Sequence, residues 1–229
     1  MKTLVIIPAR GGSKGIPHKN IKPLNGKPLI YYTIDVARSV APDEDICVST
    51  DDSSIISVVE KYGLKVPFIR PVELATDTAG TYEVLLHALD FYEKIGRIYD
   101  SILLLQNTSP FRTANNVKEA LDVFKPGLEM VVSVKESTTN PYYNCFKENS
   151  DGYLVKVLDN SKITRRQDAP KTYEYNGAIY IMNAQRLKET HFINFKKVSK
   201  YIMDEYHSLD LDTMYDWKIA EFIIKEGLI

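Results

Sequence analysis

The amino-acid sequence predicts an α/β protein with three layers, in which a mostly parallel sheet lies between two layers of helices. Three observations carry this prediction. Short, continuous apolar runs such as TLVIIP (3–8) and SILLLQ (101–106) are typical of strands that are buried on both faces. Stretches of 10–15 residues with helical periodicity separate these runs, as crossover helices do between parallel strands. The chain of 229 residues is long enough for one domain with an insertion.

The first half of the chain alternates between the two kinds of element. The strand TLVIIP is followed by a predicted helix over 28–40, whose proline stands in the first turn. DICVST (45–50) is a second strand, and the helix predicted over 52–62 ends at Gly63. VPFI (66–69) is short and extended. From Thr81, apolar residues at helical spacing predict a further helix.

The second half continues the pattern and interrupts it once. SILLLQ is followed by a helix over 113–124 and by the strand EMVVSV (129–134). Residues 138–175, called the excursion below, are polar and aromatic and predict short paired strands. GAIYIM (177–182) resumes the α/β pattern, and a helix over 213–226 closes it. We therefore expect one domain over 1–229 with 138–175 as an excursion from it.

Composition restricts the classes of partner. The 29 Lys and Arg residues balance 30 Asp and Glu residues, so no overall field attracts nucleic acid or an anionic membrane. Two cysteines in a chain of this size favour a reducing compartment over a disulfide scaffold. No segment approaches the ~20 apolar residues of a membrane span. These observations predict a cytoplasmic protein that binds neither nucleic acid nor membranes.

Positive charge is concentrated in the first loop (residues 9–20, ARGGSKGIPHKN), which directly follows the first strand. The loop contains three glycines, the basic residues Arg10, Lys14, His18 and Lys19, and no acid. Ligands of open α/β sheets bind beyond the carboxyl ends of the strands, where this loop lies. Glycines permit close approach of backbone N–H groups, and the cations suit phosphate oxygens. The spacing matches neither GxxxxGK[ST] nor GxGxxG. The alternative is an ordinary solvated loop with turn glycines.

A pair of carboxylates stands near the end of the chain in SLDLD (208–212). If this segment is extended, Asp210 and Asp212 share one face, because side chains alternate with a period of two. Two adjacent carboxylates repel unless a cation lies between them, and oxygen ligands suit Mg²⁺. The alternative is that Asp212 caps the last helix and Asp210 is solvated.

Other polar residues support two interpretations each when considered alone. Gln106 ends the strand SILLLQ, where its amide could donate to and accept from a base or a sugar, or simply satisfy the loop. Arg70 precedes a proline, a context in which arginine is usually a surface charge. TRRQD (164–168) is a charged run of the kind that usually faces solvent. The four histidines have no ligand spacing, which gives zinc chemistry and acyl transfer no support.

The stretch IIPARGGSKGIPHKNI (6–21) resembles the N-terminal signature of the CMP-sialic acid synthetases, the acylneuraminate cytidylyltransferases. Further matches follow in order along nearly the whole chain: RPVELATDTA (70–79), LLLQNTSPFRT (103–113), YNGAIYI (175–181) and SLDLDTMYDW (208–217). The sequence departs from the family pattern at Asn107, where many relatives have proline. The resemblance implies a Rossmann-like nucleotidyltransferase fold with a small dimerisation excursion, and transfer of CMP from CTP to an acidic nine-carbon sugar, with Mg²⁺.

The resemblance also implies the roles of individual residues. Arg10, Lys14, Lys19 and Gln106 would be catalytic, and Asp210 and Asp212 would bind Mg²⁺. The nucleotide would be bound by Ala9, Gly11, Asn20, Arg70 and Thr81. The sugar would be bound by Gln106, Tyr143, Arg166 and Asn176. The excursion would meet a second subunit in a homodimer.

Two rival functions and the choice of sugar remain open at this point. A Kdo-type cytidylyltransferase is the nearest rival enzyme, although its related loop has an arginine-rich pattern that this chain lacks. A nucleotide-binding regulator without catalysis is the other rival, and the intact basic loop, glutamine and aspartate pair argue against it. NPYYN (140–144) lacks the lysine expected of synthetases for sialic acid itself, and Tyr142 or Tyr143 would occupy its place. This favours a deoxy or N-acylated sugar such as legionaminic acid, with N-acetylneuraminic acid as the alternative.

Overall fold

The computed structural model describes residues 1–76, 79–158 and 163–229. Six α-helices are described: α1 (Leu29–Arg38), α2 (Ser53–Lys61), α3 (Thr81–Lys94), α4 (Ala114–Val123), α5 (Ala184–Glu189) and α6 (Met214–Lys225). The described strands are β1 (Thr3–Pro8), β2 (Pro23–Leu24), β3 (Lys27–Pro28), β4 (Ile46–Ser49), β5 (Ser101–Leu105), β6 (Met130–Glu136), β7 (Phe146–Glu148), β8 (Leu154–Lys156), β9 (Tyr173–Asn183) and β10 (Val198–Ile202). Residues 77–78 of the motif RPVELATDTA and 159–162 of the excursion lie outside the described residues.

The central sheet has six strands in the order β10-β6-β9-β5-β1-β4. Neighbouring strands are parallel except at β9, which runs antiparallel to both β5 and β6. The prediction of a mostly parallel α/β sheet is therefore confirmed, with β9 as the exception. Apolar runs do not encode strand direction, because a strand between two others is buried on both faces whichever way it runs.

Alternation along the strands divides the core between the two faces of the sheet. In β1, Val5 and Ile7 belong to one apolar cluster, whereas Leu4 and Ile6 belong to another. This is the physical reason for the unbroken apolar run: both sets of side chains are removed from water. In β5, Leu103 and Leu105 likewise contact one cluster, and Ile102 and Leu104 contact the other.

A third apolar cluster lies beneath the loops at the carboxyl end of the sheet. It joins Ile16 of the first loop, Phe111 and Leu211 to Trp217 of α6, and each of these side chains is at most 5% exposed. Ile16 belongs to the first loop, and Leu211 belongs to the SLDLD segment, whose partly buried Leu209 packs against the same cluster. Their burial anchors both motifs to the same part of the core.

Several predicted helices have the expected ends. Asp52 caps α2 by accepting a hydrogen bond from the Ser54 backbone N–H, and Gly63 follows the helix with φ of 80°. Thr113 and Asn116 form a capping box at the start of α4. Residues 66–69 were predicted to be extended; the structure has a single isolated β-bridge there, between Thr50 and Ile69.

Several elements differ from the sequence prediction, which did not include α5 or the short pair β2–β3. β9 begins at Tyr173, so the last three residues assigned to the excursion belong to the central sheet. The edge strand β10 was not predicted, because its burial alternates between exposed and half-buried and gives no apolar run. Within the excursion, β7 and β8 are the predicted short paired strands, and they run antiparallel. Across the described ranges, no helix combines the length and apolar character needed to cross a membrane.

Candidate active site

The carboxyl ends of β1 and β5 open into a cleft of about 250 Å³. The first loop forms one wall, and the residues after β5 and the SLDLD segment form the others. The cleft is lined by Pro8, Arg10, Ser13, Lys14, Gly15, Lys19, Asn20, Gln106, Asn107, Thr108 and Asp212. All four residues predicted to be catalytic thus line one cleft, together with one of the two predicted metal ligands.

Two glycines of the first loop lie where a side chain would collide with a neighbour. A Cβ atom on Gly15 would come 2.2 Å from the backbone oxygen of Asp212, and one on Gly11 would come 2.5 Å from Oδ2 of Asp52. These separations are well below van der Waals contact, so the loop approaches both segments as closely as a backbone can. Glycine at these positions is explained by packing, whereas at Gly12 a Cβ would meet nothing within 4 Å.

Lys19 connects the first loop to the SLDLD segment. Its Nζ donates to the Leu211 carbonyl at 2.7 Å and contacts Asp212 Oδ1 at 3.3 Å. The Lys19 side chain is only 13% exposed, whereas the Asp212 side chain is 74% exposed. The ammonium group is therefore fixed by the backbone, and the Asp212 carboxylate remains open to the cleft.

Asp210 has a different environment from Asp212. It is half-buried and lines a neighbouring cavity with Asn176 and Ser208, and its Oδ1 is buried without a hydrogen-bond partner among the described residues. Burial raises the pKa of the Asp210 carboxyl, and repulsion from Asp212 adds to the shift, although Thr108 and Lys19 oppose it. The two carboxylates are close enough to interact, as the motif predicts, but they border adjacent cavities.

The alternative role for Asp212 as a helix cap is wrong. Thr213 is the N-cap of α6, and its hydroxyl accepts from the Asp216 N–H while the Asp216 carboxylate accepts from the Thr213 N–H. The capping box thus lies one residue further along the chain. The Asp212 carboxylate is available for another function.

Arg70 is buried beside a second cavity of about 290 Å³, which shares Pro8 and Arg10 with the first cleft. Arg70 is 4% exposed; its Nε donates to Ser49 Oγ at 3.0 Å and its guanidinium also bonds the Ser49 carbonyl. Burial lowers the pKa of the Arg70 guanidinium. The interpretation as a surface charge is excluded, and Arg70 and Thr81 line the same cavity, as the resemblance implies.

Gln106 is positioned by a buried arginine that was not singled out in the sequence. Arg112 is 2% exposed and donates from Nη1 to the carbonyls of Gln106, at 3.1 Å, and Ala178, at 2.7 Å. Its Nη2 donates to the Thr33 hydroxyl of α1 at 3.1 Å. One side chain thus joins the residue that follows β5 to β9 and α1 behind the cleft.

The residues predicted to bind the sugar are not all brought together. Asn176 is 4% exposed; its amide donates to Ser208 Oγ and accepts from Ser133 Oγ, at 2.9 and 2.6 Å. Asn176 would have to break one of these two hydrogen bonds to contact a sugar. Exposed Arg166 lines a separate cavity in the excursion with Asn140. Tyr143 is half-buried in the excursion, and its backbone N–H bonds the Asn140 carbonyl at 3.0 Å.

Sequence reasoning missed a set of supporting polar residues. Asp51 accepts from the Gly11 backbone N–H at 3.1 Å, and Ser49 holds Arg70. The buried side chain of Asn107 bonds Asn20 at 3.1 Å. The position of Asp51, two residues after the end of β4, was a signal available in the sequence, because the carboxyl ends of β1 and β4 are neighbours in a parallel sheet.

The fold and the cleft together define a class: an α/β protein whose cleft at the carboxyl ends of the strands combines a basic, glycine-containing loop with Asp212, one of a pair of carboxylates. Comparison with known proteins agrees. Residues 4–220 match the family described as Cytidylyltransferase. The chain belongs to this family, and the resemblance identified from its motifs is confirmed.

Relatives with assigned activities cover the chain almost completely. It is 35% identical to a CMP-N,N'-diacetyllegionaminic acid synthase of Legionella pneumophila, over 98% of this chain and 97% of the relative. It is 33% identical to a pseudaminic acid cytidylyltransferase of Campylobacter jejuni, over 98% and 97%. It is 36% identical to an N-acylneuraminate cytidylyltransferase of Escherichia coli, over 96% of this chain but 51% of that protein.

A solved structure supports the fold independently. A CMP:2-keto-3-deoxy-manno-octonic acid synthetase complexed with CTP superposes with a TM-score of 0.72, over 99% of this chain and 100% of that one. At 17% identity, this similarity is evidence for a Rossmann-like nucleotidyltransferase fold alone. The predicted fold class is confirmed.

Proposed function

We propose that the chain transfers CMP from CTP to the anomeric hydroxyl of a nonulosonic acid and releases pyrophosphate. The observation that carries the proposal is the convergence of Arg10, Lys14, Lys19 and Gln106 on one cleft, in a chain whose relatives include synthases for CMP-activated nonulosonic acids. This cleft adjoins the cavity lined by Arg70, which has room for a further part of the nucleotide.

In the proposed reaction, the anomeric oxygen forms a bond to the α-phosphorus and loses its proton to water. The bond from the α-phosphorus to the bridging oxygen breaks, and pyrophosphate leaves with the electron pair. Such transfers depend on positioning and on neutralising negative charge. Arg10 and Lys14 supply positive charge from the loop. Lys19 supplies it from a fixed position, because its ammonium group is bonded to the Leu211 carbonyl.

We propose Mg²⁺ as the metal, held by Asp210 and Asp212. The donor set fits a hard cation: the two carboxylates are close enough to interact, and Oδ1 of Asp210 is buried and accepts no hydrogen bond from the described residues, although the Thr108 hydroxyl lies near this carboxylate. No group of three or more His, Cys, Asp and Glu side chains suited to a metal occurs in the described ranges. The protein would therefore supply two carboxylates. When bound, Mg²⁺ would neutralise charge on the phosphates.

The identity of the sugar is the finer part of the proposal. Relatives act on legionaminic, pseudaminic and N-acylneuraminic acids by name, so all three are candidates. Tyr142 and Tyr143 lie where a lysine was expected, which favours a less polar, deoxy or N-acylated acceptor such as legionaminic acid. N-acetylneuraminic acid remains the alternative.

A homodimer through the excursion is also part of the proposal. Tyr153 and Leu154 of the β7–β8 hairpin are 71% and 72% exposed, and Phe146 is 48% exposed. Apolar side chains grouped on such a small projection favour burial against a second copy. A second subunit could also carry exposed Arg166 to the sugar site. Light scattering should give twice the chain mass at micromolar concentration, and a fully active monomer would contradict this assembly.

We also propose a cytoplasmic location. The two cysteines, Cys47 and Cys145, are both free, and Cys47 is buried. Free thiols are typical of a reducing compartment.

A pyrophosphate-release assay tests the activity directly. The purified protein is given CTP, MgCl₂ and one sugar at a time: N-acetylneuraminic, legionaminic, pseudaminic, ketodeoxynonulosonic or Kdo acid. Turnover is expected with at least one nine-carbon acid and is expected to be highest with legionaminic acid. A preference for Kdo would contradict the nonulosonic assignment, and CTP binding without release of pyrophosphate would favour the regulator.

A further inference from the structure

The peptide between Arg10 and Gly11 is held on both sides by polar side chains. On one side, the Arg10 carbonyl accepts a hydrogen bond from Asn20 Nδ2 at 2.8 Å. On the other side, the Gly11 N–H donates to Asp51 Oδ1 at 3.1 Å. These two bonds fix the rotation of the peptide plane. They therefore set the direction in which the following part of the first loop leaves the end of β1.

Asn20 can act in this way only if its amide has the correct orientation. A carboxamide presents an oxygen on one side and an NH₂ group on the other, and a rotation of 180° exchanges them. Asn107 determines which side faces the loop, because its Nδ2 donates to Asn20 Oδ1 at 3.1 Å. With Oδ1 directed at Asn107, the NH₂ group of Asn20 is directed at the Arg10 carbonyl.

Burial makes this choice of orientation energetically important. Asn107 is 2% exposed and Asn20 is 6% exposed. Water therefore cannot replace either bond readily, and a buried acceptor without a donor destabilises its conformation. Only the donor half of the Asn107 amide is used, since its Oδ1 has no hydrogen-bond partner in the described ranges.

We propose that Asn107 is a positioning residue for the nucleotide loop, acting through Asn20 on the Arg10–Gly11 peptide. The relay runs from Asn107 Nδ2 to Asn20 Oδ1, and from Asn20 Nδ2 to the Arg10 carbonyl. It rests on the proposed function in one respect, namely that the first loop binds CTP. Asn107 is also the position at which this chain departs from the family motif identified in the sequence.

The relay assigns different consequences to two substitutions. Asn107→Ala removes the donor and leaves Asn20 Oδ1 without a partner. Asn107→Asp keeps the size of the side chain but replaces the donor with an oxygen, so two acceptors face each other. Asn20 would then rotate its NH₂ group towards residue 107 and direct its own oxygen at the Arg10 carbonyl. The aspartate should therefore disturb the loop more than the alanine does.

The experiment is a double-mutant cycle on CTP binding, measured by calorimetry with CTP and MgCl₂ and without sugar. Asn107→Ala should weaken binding by about fivefold to tenfold, the scale of one buried hydrogen bond, and Asn107→Asp by more. In an Asn20→Ala background, residue 20 has no amide whose orientation Asn107 could determine. Asn107→Ala should therefore change CTP affinity by less than twofold in that background. Asn115→Asp, an exposed amide-to-acid change on α4, is the matched control.

The Asn20→Ala background also separates the relay from simple charge repulsion. If Asn107→Asp weakens CTP binding equally with and without Asn20, its charge acts directly on the nucleotide. Additive effects of the alanine substitutions, or single variants that bind CTP as the wild type does, would overturn the relay. Steady-state kinetics give a second readout: KM for CTP should rise more than KM for the sugar, because the relay acts on the loop that is proposed to bind CTP.

The outcome also distinguishes this inference from the proposed function. Wild-type protein that binds no CTP overturns both. Wild-type protein that binds and turns over CTP, with the alanine variants additive, overturns only the relay. Thermal unfolding of each variant is measured in parallel, because a purely structural role would lower the melting temperature without the specific loss in CTP binding.

Discussion

Polar groups at the two ends of the sheet differ in how many of their hydrogen bonds are made within the chain. At the amino end of β6, both oxygens of Glu129 are in use: Oε2 accepts from the Lys196 and Lys197 N–H groups at 2.6 and 2.8 Å, and Oε1 accepts from Arg186 at 2.9 Å. At the carboxyl end, several buried polar atoms have no partner among the described residues. They are Asn107 Oδ1, Thr108 Oγ1, Ser109 Oγ, Arg112 Nε and Asp210 Oδ1.

This difference separates a structural carboxylate from one that is available to a ligand. A buried acceptor without a donor lowers the free energy of unfolding. A structure therefore tolerates such an acceptor where another molecule can supply the missing interaction. Glu129 has its full set of donors within the chain and stabilises the fold by itself. Asp210 lacks one, and the proposed metal would complete it. The comparison predicts that substitutions at the carboxyl end lower activity, whereas substitutions at the amino end lower stability.

The largest effect is expected at the carboxylate pair. Asp210→Asn and Asp212→Asn should each lower turnover by roughly 10²–10³-fold, the scale of removing one electrostatic contact from an active site. Thermal unfolding should show that the fold survives, since neither carboxylate is part of the α6 capping box. Turnover is measured across a Mg²⁺ titration. Near-normal rates in both variants would exclude the metal assignment, and Asp122→Asn, exposed on α4, is the control.

The next effect is expected for the cations of the first loop. Arg10→Ala and Lys14→Ala should each cost about 3 kcal/mol of transition-state stabilisation, or roughly 10²-fold in kcat/KM for CTP. Both side chains line the cleft, and Arg10 also borders the Arg70 cavity. Lys118→Ala, an exposed lysine on α4, is the matched control. An unchanged kcat/KM in both loop variants would show that the triphosphate binds elsewhere.

A smaller effect should follow from crowding the loop. Gly15→Ala places a Cβ where only 2.2 Å separates it from the Asp212 backbone oxygen, so the first loop and the SLDLD segment must move apart. We expect kcat/KM to fall about tenfold, because small displacements of positioned groups weaken catalysis. The added Cβ of Gly12→Ala meets nothing within 4 Å, so kcat/KM should fall less in this variant and its thermal stability should be unchanged. Equal losses in both variants would contradict the packing argument.

The sequence was sufficient for the parts of the molecule that follow from periodicity and motif. The apolar run of β1 and the position of the first loop after it are local properties, and both were predicted. The antiparallel direction of β9 was not, because burial on both faces is independent of direction. The hydrogen bond from Asn107 to Asn20 joins residues that are distant along the chain. The hydrogen bond from Arg112 to Gln106 depends on the conformation of the loop between them. No spacing in the sequence encodes them.

The smallest effect is expected at the amino end, where Glu129→Gln tests the stability half of the comparison. Hydrogen bonds from the Lys197 and Lys196 N–H groups, with the Arg186 guanidinium, lower the pKa of Glu129 to about 2 from the usual 4.5. A carboxyl whose pKa is lower in the folded state stabilises the fold fully above its unfolded pKa, and this contribution disappears as the pH falls towards the folded value. Wild-type protein should therefore be more stable than Glu129→Gln at neutral pH, and the difference should shrink between about pH 4.5 and 2.

The measurement is the urea midpoint of both proteins at a series of pH values, together with kcat/KM at neutral pH. Activity should be unchanged within about twofold, as expected for a distant, independent site. Glu60→Gln, on the exposed face of α2, should reproduce the wild-type pH profile. A stability difference that persists unchanged at acid pH would mean that the stabilising effect of Glu129 comes from the shape of its side chain rather than from its charge. A large loss of activity would mean that the two ends of the sheet are coupled, and the division between them would fail.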